Sequence, residues 1–235
     1  MQGPTKVPVA NRVLAALSRK EYQSLLPMLE PVTLAFGDVL YEPGAPIRHV
    51  YFPHDCLVSL LTSVDSVRAA EVGLVGAEGM IGVPVVLGIA VSPFLAVVQG
   101  GGNALRMKTA DFRREFTKSV TLQRELFRFT HLLMTQVAQT AACNRFHVVT
   151  QRLARWLLMT RDRVQSNEFI LTQEFLARML GVRRVGVTEA ASGLQKRKLI
   201  RYSRGTITIL DQKGLEATAC GCYGLVKRMY AKAKS

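Results

Sequence analysis

The sequence has no run of about 18 apolar residues, so no transmembrane helix is expected. Its first stretch, MQGPTKVPVANRVLAAL, lacks a long apolar core with a cleavage site, so no secretory signal is expected. Cysteine is scarce and scattered, at Cys56, Cys143, Cys220 and Cys222. A disulfide framework is therefore not expected, and a reducing cytoplasm is the expected compartment. Acidic residues are few, 17 against 31 Lys and Arg, for a net charge of +14. No Walker-type loop, HExxH or GxSxG motif occurs, and Glu71 and Glu78 form no spaced catalytic pair. An enzyme is not expected.

What is present is unevenly placed. Residues 144–235 hold 18 Lys and Arg against 6 acids, while residues 1–143 hold 13 against 11. The hydrophobic fraction, 49%, is ample for packed cores. A basic module beside a near-neutral one fits phosphate-backbone binding through counterion release.

Inside the basic part lies Leu171–Ile200, LTQEFLARMLGVRRVGVTEAASGLQKRKLI. Thr172 can cap a first helix in which Phe175, Leu176, Met179 and Leu180 recur at helical spacing. Gly181 suits the left-handed backbone at a helix end. A second helix carries Val187, Ala190, Ala191 and Leu194 on one stripe, with Arg183, Arg184 and Thr188 near its start and off that stripe. This is the pattern of a helix-turn-helix, whose second helix enters the DNA major groove. An ordinary αα-hairpin with solvated arginines shares it. The sequel favours the first reading: Leu199–Tyr202 and Thr206–Leu210 alternate as strands around a Ser203-Arg204-Gly205 turn, which makes a wing with Arg204 at its tip.

Upstream, Asn11 can cap a helix running through Val13, Leu14 and Leu17 towards Leu29, with Ser18 opening a second turn and Pro27 closing or kinking it. Residues 1–10 read as a loose arm. From Pro31 to Met107 short apolar runs (VTLAF, VLY, VYF, LVSLLTSV, AAEVGLVG, VVLGIA, FLAVVQ, ALRM) alternate with Gly and Pro, which argues for an antiparallel barrel or jelly roll. Val75–Gly88 reads as a glycine-rich loop with one helical turn. Asp111–Lys118 forms a short helix, and a long one follows from about Val120. Its Leu122, Leu126, Phe129, Leu133, Val137 and Thr140 are spaced close to a heptad seam, read as a dimer interface, although a helix packed on its own barrel would also bury a stripe. His147–Arg163 forms another helix, with Trp156 in its core. Glu168-Phe169-Ile170 reads as a short strand, and Asp211–Lys234 as a last helix. The fold class is α+β: sensor barrel with N-terminal helices over 1–118, dimerisation helix over 119–146, winged helix-turn-helix over 147–235.

Barrel, long helix and winged helix-turn-helix in this order resemble the CRP/FNR family of bacterial transcription regulators. The resemblance spans roughly residues 14–210. It is carried by LTQEFLARMLGVRRVGVTEAASGLQKRKLI and by Phe36-Gly37-Asp38-Val39-Leu40 to Gly44, followed by His49-Val50-Tyr51-Phe52. It implies that Thr172 touches phosphate and that Arg184 reads a guanine. Val185 and Glu189 depart from the family's pattern; Glu189 either accepts from a cytosine amine or faces solvent. Gln173, Lys196 and Arg204 are backbone-contact candidates. Cyclic-nucleotide binders of the family carry Gly-Glu and then Arg-Ser or Arg-Thr; here Gly82-Val83 and Ser92-Pro93-Phe94 stand there. No arginine lies between Arg68 and Arg106. A buried phosphate without a cation is costly, so cyclic AMP is not expected to bind. Gly82, Val83, Ser92, Phe94 and Leu133 are the effector-pocket candidates.

Other sensing chemistries find little footing. Only Cys56 lies in the barrel, which excludes the clustered cysteines of an iron–sulfur sensor. His49, His54, His131 and His147 are lone histidines, read as structural rather than haem ligands. Cys220-x-Cys222 reads as incidental on the last helix. No metal site or cofactor is expected. The expected function is a cytoplasmic homodimeric regulator that binds a palindromic site on double-stranded DNA under an unidentified effector, with RNA polymerase as a further partner and no membrane. The alternative is a ligand-sensing module acting mainly through protein partners, with weak or lost DNA binding.

Overall fold

A computed structural model describes residues 10–63 and 69–232. The expected arm over residues 1–10 lies almost wholly outside the described residues, as does Lys234. The chain forms two compact units, one from Met1–Val58 and Val75–Thr130, the other from Ser59–Leu74 and His131–Ser235. The described residues contain no helix long and apolar enough to cross a membrane.

In the first unit, Asn11 caps α1 (Arg12–Ala15), its Oδ1 accepting from the Val13 and Leu14 amides. The amide end of this fully buried side chain donates to the Pro53 and Gly79 carbonyls at 3.0 and 2.8 Å. Ser18 opens α2 (Arg19–Leu25), the expected second turn, with a reciprocal capping box to Glu21. Strands β1 (Glu30–Leu34), β2 (Val39–Tyr41) and β3 (His49–Pro53) follow. After β4 (Leu57–Ser63) and β5 (Ala69–Val75) come β6 (Leu95–Gly100) and β7 (Gly102–Lys108). β1, β7 and β3 form one antiparallel sheet, and β2 pairs antiparallel with β6. Val83–Leu87 is a 3-10 turn, the single helical turn expected in the glycine-rich loop. α3 (Thr109–Lys118) lays Phe112 against Phe52, ring centroids 6.5 Å apart. α4 (Val120–Phe146) begins in this unit and continues into the other.

In the second unit β4 and β5 are hydrogen-bonded neighbours. α5 (Val149–Val164) buries Leu153, Trp156, Leu157 and Leu158. β8 (Glu168–Ile170) pairs with β10 (Thr206–Ile209), which pairs with β9 (Ile200–Ser203), giving the order β8-β10-β9. Between β8 and β9 lie α6 (Gln173–Leu180) and α7 (Arg184–Lys196). The expected last helix is two helices, α8 (Gln212–Thr218) and α9 (Cys222–Lys232). Ala219 turns extended, with ψ 151°, and ends α8; α9 starts with the Tyr223 amide on the Cys220 carbonyl. Helical periodicity runs through this break, so the sequence pattern alone could not show it.

Candidate nucleic-acid interface

The interface is built from local rules. Thr172 caps α6, its hydroxyl accepting from the Phe175 amide at 3.1 Å, a bond worth about 1 kcal/mol. Gly181 ends α6 in the left-handed region at φ 60°, where a side chain would be strained. Leu176, Met179 and Leu180 are buried, as are Val187, Ala190, Ala191 and Leu194 on α7. That burial fixes which face of α7 is left outside. Arg183, the N-cap residue, and Arg184, Thr188 and Glu189 are all exposed on it. Gln173 Oε1 accepts from Arg184 Nε at 3.3 Å and from the Thr188 hydroxyl at 3.0 Å, so it braces the start of α7.

The wing is tied to this helix pair. Its two-residue loop has both Arg204 and Gly205 at positive φ, 50° and 80°, as a type I′ hairpin turn requires. The Gly205 carbonyl accepts from the Leu171 amide at 2.6 Å, and the Tyr202 hydroxyl donates to the Leu171 carbonyl at 2.8 Å. Tyr202 N donates to Gln195 Oε1 at 2.8 Å, which joins the wing to α7. Arg204 at the tip and Lys196 at the end of α7 are exposed. The expected DNA-facing residues thus share one unit and lie on elements locked to each other.

Residues 151–218 match the model of the Crp-like helix-turn-helix domain. The C-terminal part of the chain therefore carries a Crp-like helix-turn-helix domain. Solved structures agree in fold. FixK2 from Bradyrhizobium japonicum is 14% identical, with 82% of this chain and 98% of that chain covered and a TM-score of 0.69. A CRP/FNR-family regulator from Thermus thermophilus is 22% identical, with 81% and 98% covered and a TM-score of 0.68. The c-di-GMP-responsive global regulator CLP from Xanthomonas campestris is 15% identical, with 82% and 99% covered and a TM-score of 0.67. A sequence search of curated proteins gives no match.

The expected effector-pocket residues are sparsely equipped. Gly82 adopts φ 102°, and a Cβ there would come within 3.0 Å of the Tyr41 hydroxyl and of Val50. Val83 is buried and apolar. The Ser92 hydroxyl is spent locally, donating to the Phe94 carbonyl at 2.7 Å and accepting from the Phe94 amide at 3.2 Å. Leu133 belongs to the other unit, where a Cβ on Gly73 would lie 3.1 Å from its Cδ1.

The residues of the expected dimer seam are mostly covered by the chain itself. Leu122, Leu126, Phe129, Leu133 and Thr140 are buried within the single chain, and Val137 is half-buried. Glycines make room for them: a Cβ on Gly79 would fall 2.0 Å from the Phe129 ring. The stripe that stays exposed is Phe127, His131, Met134, Ala138, Ala141 and Arg145, spaced alternately four and three residues apart. Phe127 is 51% and Met134 65% exposed.

Sequence reasoning missed two features. Glu71 is buried in the second unit, accepting from Ser59 Oγ at 2.7 Å and Trp156 Nε1 at 3.1 Å. Burial pushes its carboxyl up to about 7 against those bonds and the charges of Arg155 and Arg163. The second feature is a group of thiols and an imidazole. Cys220 and Cys222, read as incidental, lie together with Cys143 and His147. A Cys-x3-His step on the end of α4 and the later Cys-x-Cys were the legible signal; their meeting was not.

Proposed function

We propose that this regulator binds DNA sequence-specifically as a homodimer, each protomer setting the start of α7 into one major groove of a roughly palindromic site. Arg184 reads a base edge, with Arg183 and Thr188 beside it. Thr172, Lys196 and Arg204 contact the backbone, and Gln173 holds Arg184 and Thr188 in place. Residues 1–118 serve as the sensor, 119–146 as the dimer helix and 147–235 as the DNA-binding domain. The partner helix seats on the Phe127, Met134 and Ala138 stripe. The effector is a molecule other than cyclic AMP.

The observation that carries this reading is the exposed, braced N-terminal turn of α7 beside a wing-tip arginine. The effector half is supported by the self-satisfied Ser92 hydroxyl and by the lack of any arginine between Arg68 and Arg106. Genome-wide footprinting tests it. Bound sites should show two half-sites about one helical turn apart. Arg184→Ala should lose about 1–3 kcal/mol of discrimination at one base pair per half-site. Uniform weakening over all sequences would remove the base-reading role, and salt-independent affinity would remove DNA as the target. Micromolar binding of cyclic AMP in calorimetry would overturn the effector half.

A further inference from the structure

Four potential metal ligands from two distant parts of the sequence converge in the second unit. Cys143 lies in the last turn of α4. His147 follows that helix, its amide bonded to the Cys143 carbonyl at 3.1 Å. Cys220 sits in the break after α8, and Cys222 opens α9. Their ligand atoms all lie within 4.8 Å of one another. Cys143 Sγ is 3.4 Å from Cys220 Sγ, and Cys222 Sγ is 3.6 Å from His147 Nδ1. All three thiols are free and buried. Tetrahedral zinc, with Zn–S bonds of about 2.3 Å, holds its ligand atoms roughly 3.8 Å apart. The group is thus the size of one ion's coordination shell.

The surroundings point the same way. Gln139 Nε2 donates to Cys222 Sγ at 3.0 Å, the kind of outer bond that orients a metal-bound thiolate. Arg152 and Arg155 of α5 are buried, 6% and 4% exposed, and both interact electrostatically with the cysteines. Arg155 donates to the Thr140 hydroxyl and Arg152 to the Leu180 carbonyl, while the Nε of each has no hydrogen-bond partner among the described residues. Buried guanidinium charge is costly without a counter-charge. Three thiolates, one neutral imidazole and a divalent cation carry a net charge of −1, which supplies one. A disulfide between Cys143 and Cys220 would leave Cys222 and His147 without a role.

We propose that Cys143, His147, Cys220 and Cys222 bind one thiophilic divalent cation of the zinc class in a closed, four-ligand site. The ion replaces three thiol protons, which leave as three H⁺, and no electron is transferred. With no ligand position open, the site is structural. It fastens the start of α9 to the joint between α4 and α5. It does not rest on the DNA-binding reading above.

The test uses the full chain, stripped by chelator under reductant and titrated with Zn²⁺ and with Co²⁺. Elemental analysis should give one ion per chain. The cobalt form should show tetrahedral ligand-field bands with thiolate charge transfer. Cys143→Ser and Cys222→Ser should lose both, and His147→Cys should keep them. Zinc should also protect three thiols of the unmodified chain from alkylation and leave Cys56 unaffected, a readout that needs no variant to fold. Failure of the unmodified chain to take up stoichiometric zinc overturns the proposal. So does an octahedral cobalt spectrum, or full metal retention in the Cys143→Ser, Cys222→Ser double variant.

Discussion

Glu71 is a buried carboxyl held by a hydroxyl, an indole and two guanidinium charges. Its folded pKa of about 7 stands above the ordinary carboxyl value of 4.5. The folded chain therefore holds this proton more tightly than the unfolded chain does. Its contribution is fully present below about pH 4.5 and is lost as pH rises towards 7, a change on the order of 3 kcal/mol. Urea midpoints at pH 5 and pH 8 should reveal it, and Glu71→Gln, which keeps an acceptor for Trp156, should flatten that component. Trp156 is the single tryptophan, so its emission should titrate with the same midpoint and cease to do so in the variant. An unchanged pH profile in Glu71→Gln would show that other groups carry it. Nothing local in the sequence distinguishes this glutamate from a surface acid, because its partners Ser59 and Trp156 stand 12 and 85 residues away.

At the scale of the element, α4 shows where periodicity stops being informative. It carries two stripes at heptad-like spacing. The more apolar one, Leu122, Leu126, Phe129 and Leu133, is taken by the chain's own core, since Gly73 and Gly79 leave space for ring and branch. The less apolar one, with Phe127, His131, Met134 and Ala138, faces out. Sequence pattern ranks stripes by hydrophobicity, and the interior has first claim on the strongest. The helix-turn-helix was legible for the opposite reason: Thr172, Gly181 and the Leu194 stripe act within a few residues of themselves. If the outer stripe joins two protomers, Met134→Glu places two carboxylates at a symmetric contact and should weaken the dimer at least about tenfold, with DNA affinity falling in step. Sedimentation equilibrium measures the first and a mobility shift the second. Leu126→Glu should instead unfold the chain, because Leu126 has no exposed surface. A Met134→Glu chain that still dimerises at the parental constant would move the interface elsewhere.

Across the whole molecule the charge is divided as sharply as the chemistry. Residues 144–235 carry a net +12 and residues 1–143 a net +2. The basic part also contains Arg152 and Arg155, whose charge is turned inward, so the surface excess is smaller than the sequence total. The cations that remain outward include Arg183, Arg184, Lys196, Arg197, Lys198, Arg201 and Arg204. Only those near phosphate release counterions on binding, at about 0.9 of a logarithmic unit in the salt slope per neutralised phosphate. Arg204 at the wing tip is the cleanest probe, since among the described residues its side chain makes no contact that holds α6 and α7 together, and its positive φ is shared with Gly205. In a dimer Arg204→Ala removes two such contacts. The slope of log affinity against log salt should become shallower by about 1.8, with the same loss on specific and random duplexes. Asparagine, which tolerates the left-handed backbone better than alanine, should give the same slope and so separate charge from turn geometry. A slope unchanged in both variants would place the wing tip away from the phosphates and leave the start of α7 as the main contact.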